Sequence, residues 1–253
     1  MSTVVFAPTR PRGRVAWRIG ASILAVAALG WGSLNVVNLL AHGEHRFSRT
    51  FAAAGITAID VSTDRGSVRV LASDRDDISL HSYISNGLGG TDHSARVRGS
   101  RLVVDAGCAF PVAYWCTASY TLRVPRDMRV VLWSGSGSIS VSGVTGPVDL
   151  GSQHGDIDTS RLRSPQVHAT TDHGSVRLQF ATAPRRVDAS SDHGDVEVVV
   201  PRTSDAYRVD LSTDHGNTSA AVRTDPTASR VLELRSAHGD VTVRYGPRAS
   251  GGS

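Results

Sequence analysis

A short repeat constrains the fold of this chain more than any single residue, because every copy must build the same local structure. The repeat is a glycine, in most copies preceded by histidine, followed by Ser, Asp or Asn and then by alternating aliphatic residues, as in TTDHGSVRLQF, SSDHGDVEVVV and RSAHGDVTVRY. Seven copies align on the predicted repeat-turn glycines Gly66, Gly137, Gly155, Gly174, Gly194, Gly216 and Gly239.

Aliphatic residues flank each glycine at fixed distances. Around Gly174, Val167 and Ala169 precede the glycine by seven and five positions, and Val176 and Leu178 follow it by two and four. Each arm alternates apolar and polar residues, which predicts a strand with one buried face. An odd number of steps separates the arms, so the chain must turn at the glycine, which tolerates positive φ. A Ser or Thr three positions earlier, found in every copy, is expected to hydrogen-bond local backbone.

One repeat of about twenty residues cannot be stable alone. Its four inward side chains contribute roughly 6–12 kcal/mol when buried, whereas ordering its backbone costs on the order of 20–40 kcal/mol. The repeats must therefore stack, and the predicted fold class is all-β, a β-solenoid or β-helix-like repeat domain. An antiparallel β meander or sandwich with hairpin turns at His-Gly fits the same pattern. Equivalent histidines should lie ~5 Å apart in the solenoid and ~10 Å apart in the meander.

The first forty residues predict a membrane anchor. Residues 19–41 contain no ionisable side chain and cover the ~20 residues that a transmembrane helix requires. Four arginines and no acidic residue precede them, which keeps the N-terminus in the cytoplasm. We therefore expect a single-pass protein of the cell membrane, with a basic cytoplasmic tail at residues 1–18, a transmembrane helix at 19–41 and a linker at 42–50. An extracytoplasmic β-repeat domain follows at 51–246, with a flexible tail at 247–253. A cleaved signal peptide is the alternative, although its apolar core usually has only ~7–15 residues.

The net charge of +4 does not indicate a nucleic-acid partner. Four arginines precede the first acidic residue, Glu44, and account for the whole surplus. The rest of the chain is balanced, so it lacks the basic surface of a DNA- or RNA-binding protein.

Two cysteines, Cys108 and Cys116, bracket the segment AFPVAYW. In an oxidising compartment they are expected to form a disulfide, which would stabilise the domain by roughly 2–3 kcal/mol. Two buried free thiols are the alternative, and the spacing is not that of a Cys-x-x-Cys redox pair.

These features together resemble a known family. A charged N-terminal stub, one apolar segment, repeated S-x-x-G-D-V-x-V units and a Cys…Trp-Cys loop leading into SYTLRVP follow one another. In this combination the chain is similar to the bacterial putative adhesin family, a domain of unknown function. The resemblance covers nearly everything beyond residue 50 and implies a β-solenoid-like domain at the cell surface, with no catalytic residue to carry over. Family repeats usually read Ser-Ser-Gly, whereas five copies here carry histidine before the glycine.

We call these five histidines the histidine column: His154, His173, His193, His215 and His238. They suit a purely structural role as turn residues and stacked rings, with no cofactor. Aligned imidazoles with Asp172, Asp192 and Asp214 beside them would also supply donors for zinc or another transition metal, such as copper or nickel. A third hypothesis is that mild acid charges neighbouring rings and loosens this edge.

Catalysis is not expected. A catalytic triad needs one uniquely placed nucleophile and base, whereas Ser, His and Asp recur here in several repeats and no Gly-x-Ser-x-Gly motif occurs. The sequence therefore favours a non-enzymatic, membrane-anchored, adhesin-like protein that binds an envelope polymer or a surface protein. The alternative is a metal-binding, or metal- or pH-sensing, ectodomain that uses the histidine column.

Overall fold

The computed structural model describes residues 43–86, 91–108 and 116–247. These residues form nineteen β-strands and no helix, so they include no helix with the length and apolar character that a membrane crossing requires. The predicted transmembrane helix at 19–41 lies outside the described residues, as does the end of the predicted tail. The strands belong to one compact unit that begins at Gly43.

The strands form two sheets. Sheet A contains β1 (Gly43–Ala52), β3 (Val68–Ser73), β4 (Asp77–Asn86), β7 (Thr117–Pro125), β9 (Ile139–Ser142), β11 (Ile157–Leu162), β13 (Val176–Phe180), β15 (Val196–Val200), β17 (Thr218–Ala221) and β19 (Val241–Tyr245). Sheet B contains β2 (Ala58–Arg65), β5 (Thr91–Arg98), β6 (Arg101–Cys108), β8 (Arg129–Ser136), β10 (Val148–His154), β12 (Gln166–His173), β14 (Arg186–His193), β16 (Arg208–His215) and β18 (Val231–His238).

Each repeat gives one strand to each sheet, and the two strands meet at the repeat glycine. We call such a pair a coil; β12 and β13, for example, form the coil that turns at Gly174. Strands of neighbouring coils pair in parallel, so that Val148, Val167 and Val187 stand opposite one another. This pairing agrees with the stacked coils of the solenoid prediction. The antiparallel meander alternative is wrong for the repeat strands.

The core lies between the two sheets. The four predicted inward residues of the Gly174 coil, Val167, Ala169, Val176 and Leu178, are at most 3% exposed. The burial of alternate residues therefore follows the period of two that the sequence predicts.

The last two coils are exchanged relative to their order in the chain. Strands β18 and β19 lie between β14–β15 and β16–β17, so the Gly216 coil ends the stack although it precedes the Gly239 coil in sequence. Its inner sheet-A positions hold Thr218 and Ala220, where most other coils have aliphatic residues with larger side chains. A coil at the end of the stack is not covered on one side, and this coil leaves the least apolar surface uncovered there. All of β17 is exposed.

Antiparallel strands extend the other end of the stack. In sheet A, β1 and β4 join antiparallel to β7, and in sheet B the hairpin β5–β6 joins β2. Strands β4 to β7, which lie outside the regular repeats, are therefore part of the same two sheets. Residues 43–50, predicted as linker, are instead part of the edge strand β1, because every residue of β1 pairs with β4.

Candidate functional site

The histidine column lies along one edge of the stack, where sheet B strands end at the glycine corners. Its rings are nearly parallel. The ring centroids are 4.9 Å apart for His154 and His173, 4.6 Å for His173 and His193, 4.9 Å for His193 and His238, and 4.7 Å for His238 and His215. The spacing confirms the ~5 Å expected for adjacent coils. The exchange of the last two coils makes His215 the end of the column.

Close approach of the coils at the glycines positions these rings. Gly174 has a φ of +146°, and a Cβ built on it would lie 2.4 Å from the carbonyl oxygen of Gly155. At all seven repeat glycines a Cβ would meet a neighbouring backbone oxygen at 2.1–2.4 Å. Glycine is therefore required by contact between coils as well as by the predicted turn.

Buried hydroxyl groups tie successive corners together. Thr171 donates a hydrogen bond to the Gly155 carbonyl at 3.0 Å, and Ser191 donates to the Gly174 carbonyl at 2.8 Å. The sequence predicted that the hydroxyls at this position bond local backbone, but Thr171 and Ser191 bond the neighbouring coil. Thr63 lies within hydrogen-bond distance, 3.2 Å, of both the local Arg65 carbonyl and the Ala118 carbonyl of β7. The equivalent Ser152 Oγ is buried and has no hydrogen-bond partner within the described residues.

Aspartates occur both before and after the column histidines in the sequence. After the glycine, the Asp156 carboxylate accepts a hydrogen bond from the Ser175 N–H at 2.8 Å, and Asp195 accepts one from the Asp240 N–H at 2.8 Å. These carboxylates therefore serve the corners of adjacent coils, a role across coils that the sequence pattern did not reveal. Before the histidines, three further aspartates carry no ion pair with any described residue: Asp172, Asp192 and Asp214.

The stacked rings are not oriented to share one metal ion. A metal ion lies in the plane of a coordinating imidazole, about 2.0–2.1 Å from its nitrogen. Parallel rings 4.6–4.9 Å apart direct their nitrogen lone pairs side by side rather than toward one point. Within the described ranges, no group of three or more His, Cys, Asp or Glu residues is arranged to hold a metal ion. Zinc binding would require rings to rotate out of the stack, and the metal assignment stays a prediction.

The predicted disulfide also stays a prediction. Cys116 directly precedes β7 and is 1% exposed. The side chain of Cys108 lies outside the described part of the chain, as do residues 109–115.

Residues 126–244 match a family model described as Toastrack DUF4097. The matched region contains the six coils from Gly137 to Gly239. No curated protein matches the chain.

The chain is also distantly similar to solved structures. A putative cell adhesion protein from Clostridium sporogenes shares 9% identity over 81% of this chain and 100% of its own, with a TM-score of 0.48. A putative adhesin from Bacteroides fragilis shares 13% identity over 80% of this chain and 97% of its own, with a TM-score of 0.45. A putative adhesin from Parabacteroides merdae shares 12% identity over 80% of this chain and 96% of its own, with a TM-score of 0.25.

Proposed function

We propose that the chain is a membrane-anchored ectodomain without enzymatic activity. The match of residues 126–244 to the Toastrack DUF4097 model, in agreement with the resemblance to a domain of unknown function, supports this proposal. Its role is to contact an envelope polymer or another surface protein. One observation carries this proposal: the coil stack repeats the same polar corner at intervals of 4.6–4.9 Å. Regularly spaced, identical groups favour binding by many individually weak contacts.

The orientation of the repeated hydroxyls supports a role without catalysis. Thr171 and Ser191 are 1–2% exposed and donate to backbone carbonyls of adjacent coils. His173 and His193 are exposed at the corner. A nucleophile must be reachable by substrate and activated by a base, and these buried hydroxyls are already used in packing.

The binding face is tested by co-sedimentation of residues 43–253 with isolated cell envelopes. We expect the wild-type domain to sediment and a variant with the five column histidines changed to Ser to remain in solution. A matched variant with His81→Ser and His168→Ser changes histidines outside the column and should sediment like the wild type. Equal sedimentation of both variants would exclude the column as the contact face.

The membrane anchor rests on the apolar residues 19–41 and the arginines before them. Membrane fractionation of cells that produce the full chain, or a chain in which residues 19–41 are replaced by a cleavable signal peptide, tests it. The full chain should stay with the membrane in high salt and should be degraded by protease outside the cell. Release of the full chain as a shorter soluble product would instead indicate cleavage of a signal peptide.

Metal sensing is a second candidate function because five exposed imidazoles lie in one file. Zinc titration and elemental analysis separate this function from surface contact. They compare residues 43–253 of the wild type with the variant in which the five column histidines are changed to Ser. We expect equal zinc contents, because the stacked rings do not converge on one point. Zinc bound in a fixed ratio by the wild type and lost in the variant would establish the metal function instead.

A further inference from the structure

Four arginines line one groove at the edge of sheet A. A space of about 470 Å³ is lined by Arg123, Arg126, Arg161 and Arg163, together with Leu71, Ala72, Ser142 and Gly143. The groove lies where β3, β7, β9 and β11 end. The glycine corners are at the other end of the coil strands, so this groove is separate from the histidine column.

Three of these positive charges are not neutralised by a carboxylate. Arg126 forms a bidentate ion pair with Asp74. The hydrogen bond from Arg126 Nη2 to Asp74 Oδ2 is 2.8 Å long. This guanidinium lowers the pKa of the Asp74 carboxyl. Arg123, Arg161 and Arg163 are exposed and have no ion pair within the described residues. The groove therefore has a local excess of positive charge although the domain as a whole is balanced.

The backbone at Arg161 is strained in a way that brings its side chain to this groove. Its φ is +52°, and no other non-glycine residue in the described ranges has a positive φ. The strand register between β11 and β13 shifts between Thr159 and Leu162, the segment that contains it. Its Nη2 donates to Ser142 Oγ at 3.2 Å. Glycine would adopt this backbone without strain, and such outliers cluster at functional sites.

We propose that the arginine groove is a binding site for a phosphate group. Guanidinium groups bind phosphate oxygens through paired hydrogen bonds. Three unpaired guanidinium groups around one groove match a group with more than one negative charge better than a single carboxylate. The space holds a phosphate together with an attached glycerol or sugar, so the phosphate is either free or part of a phosphodiester polymer of the envelope.

Isothermal titration calorimetry on the full chain in a nonionic detergent tests this site. One arm uses inorganic phosphate and the other a glycerol phosphate oligomer, each at two salt concentrations. Binding should weaken as salt rises. The double variant Arg161→Gln, Arg163→Gln should bind at least roughly tenfold more weakly, the loss expected when charge-assisted hydrogen bonds are removed. The matched control Arg129→Gln, Arg208→Gln removes two exposed sheet B charges and should bind like the wild type.

A further variant, Arg161→Gly, separates binding from folding. It keeps the positive φ without strain, so it should unfold at the same temperature as the wild type or a higher one while losing phosphate affinity. Tighter binding of the oligomer would identify the polymer as the phosphate source, and tighter binding of inorganic phosphate would identify the free ion. The proposal is overturned if neither probe binds at millimolar concentration, or if the groove variants bind as well as the control. Both measurements use purified protein, so their failure leaves the proposed envelope contact through the histidine column untouched.

Discussion

Replacing Gly174 by alanine tests the claim that close contact between coils determines this fold. The new Cβ would lie 2.4 Å from the Gly155 carbonyl oxygen, whereas ordinary contact begins at 3.4 Å. The two coils must therefore separate locally by about 1 Å, the difference between 3.4 and 2.4 Å. Such a shift stretches the hydrogen bond from Gly155 N to His173 O, now 2.8 Å, well beyond the usual range.

The cost follows from the contacts at this corner. That backbone bond and the bond from Thr171 to Gly155 O are both weakened, at about 1 kcal/mol each. Alanine at a φ of +146° adds roughly 1–2 kcal/mol. We expect Gly174→Ala to lower the free energy of unfolding by about 3–4 kcal/mol.

The assay is urea unfolding of residues 43–253, followed by far-ultraviolet circular dichroism and extrapolated to water. Gly55→Ala is the matched control, because Gly55 has a φ of +82° and no atom within 4 Å of its Cβ position. It should cost only the conformational part, about 1–2 kcal/mol. If both substitutions lower the free energy of unfolding equally, contact between coils is not what requires glycine at the corners.

Three further predictions concern other features of the domain. Ser191→Ala should lower the free energy of unfolding by about 1 kcal/mol, whereas Ser152→Ala should leave it nearly unchanged because this hydroxyl has no partner within the described residues. Burial raises the pKa of Glu197, but hydrogen bonds from arginines on the two neighbouring coils lower it more. Glu197→Gln should therefore cost about 0.5–1 kcal/mol at pH 7, with the difference in urea midpoint disappearing as the pH falls below the unfolded glutamate pKa of about 4.3. Alkylation of the unfolded protein without reductant should leave Cys108 and Cys116 unmodified in the intact mass, and a doubly alkylated product would refute the disulfide.

Much of the coil structure could be predicted because every repeat has the same alternation of buried and exposed residues. A shift of one residue between coils would move Val167 and Ala169 to the outer face and leave the core unfilled. The buried pattern therefore fixes the register between coils. Once the register is fixed, equivalent residues such as His173 and His193 must lie in one file at the strand spacing.

Features that join dissimilar positions could not be predicted in this way. Arg123 and Arg161 belong to unrelated sequence contexts and meet only because β7, β3, β9 and β11 are consecutive in sheet A. Nothing in the periodicity indicates that neighbour order. Strand β1 was missed for a related reason, since a linker and an edge strand both tolerate the mostly polar sequence GEHRFSRTFA.

The exchanged order of the last two coils has a physical reason in their composition. A coil inside the stack is covered on both sides, so it gains from aliphatic residues such as Val241 and Val243, which are fully buried in β19. The Gly216 coil has Thr218 and Ala220 at these positions and gains less from being covered. An exposed parallel edge also invites pairing with another chain, and charged residues along an edge strand oppose such pairing. Strand β16 carries Arg208, Asp210 and Asp214. The least apolar coil, with charged residues along its edge strand, therefore ends the stack, even though the chain must pass over the Gly239 coil to put it there.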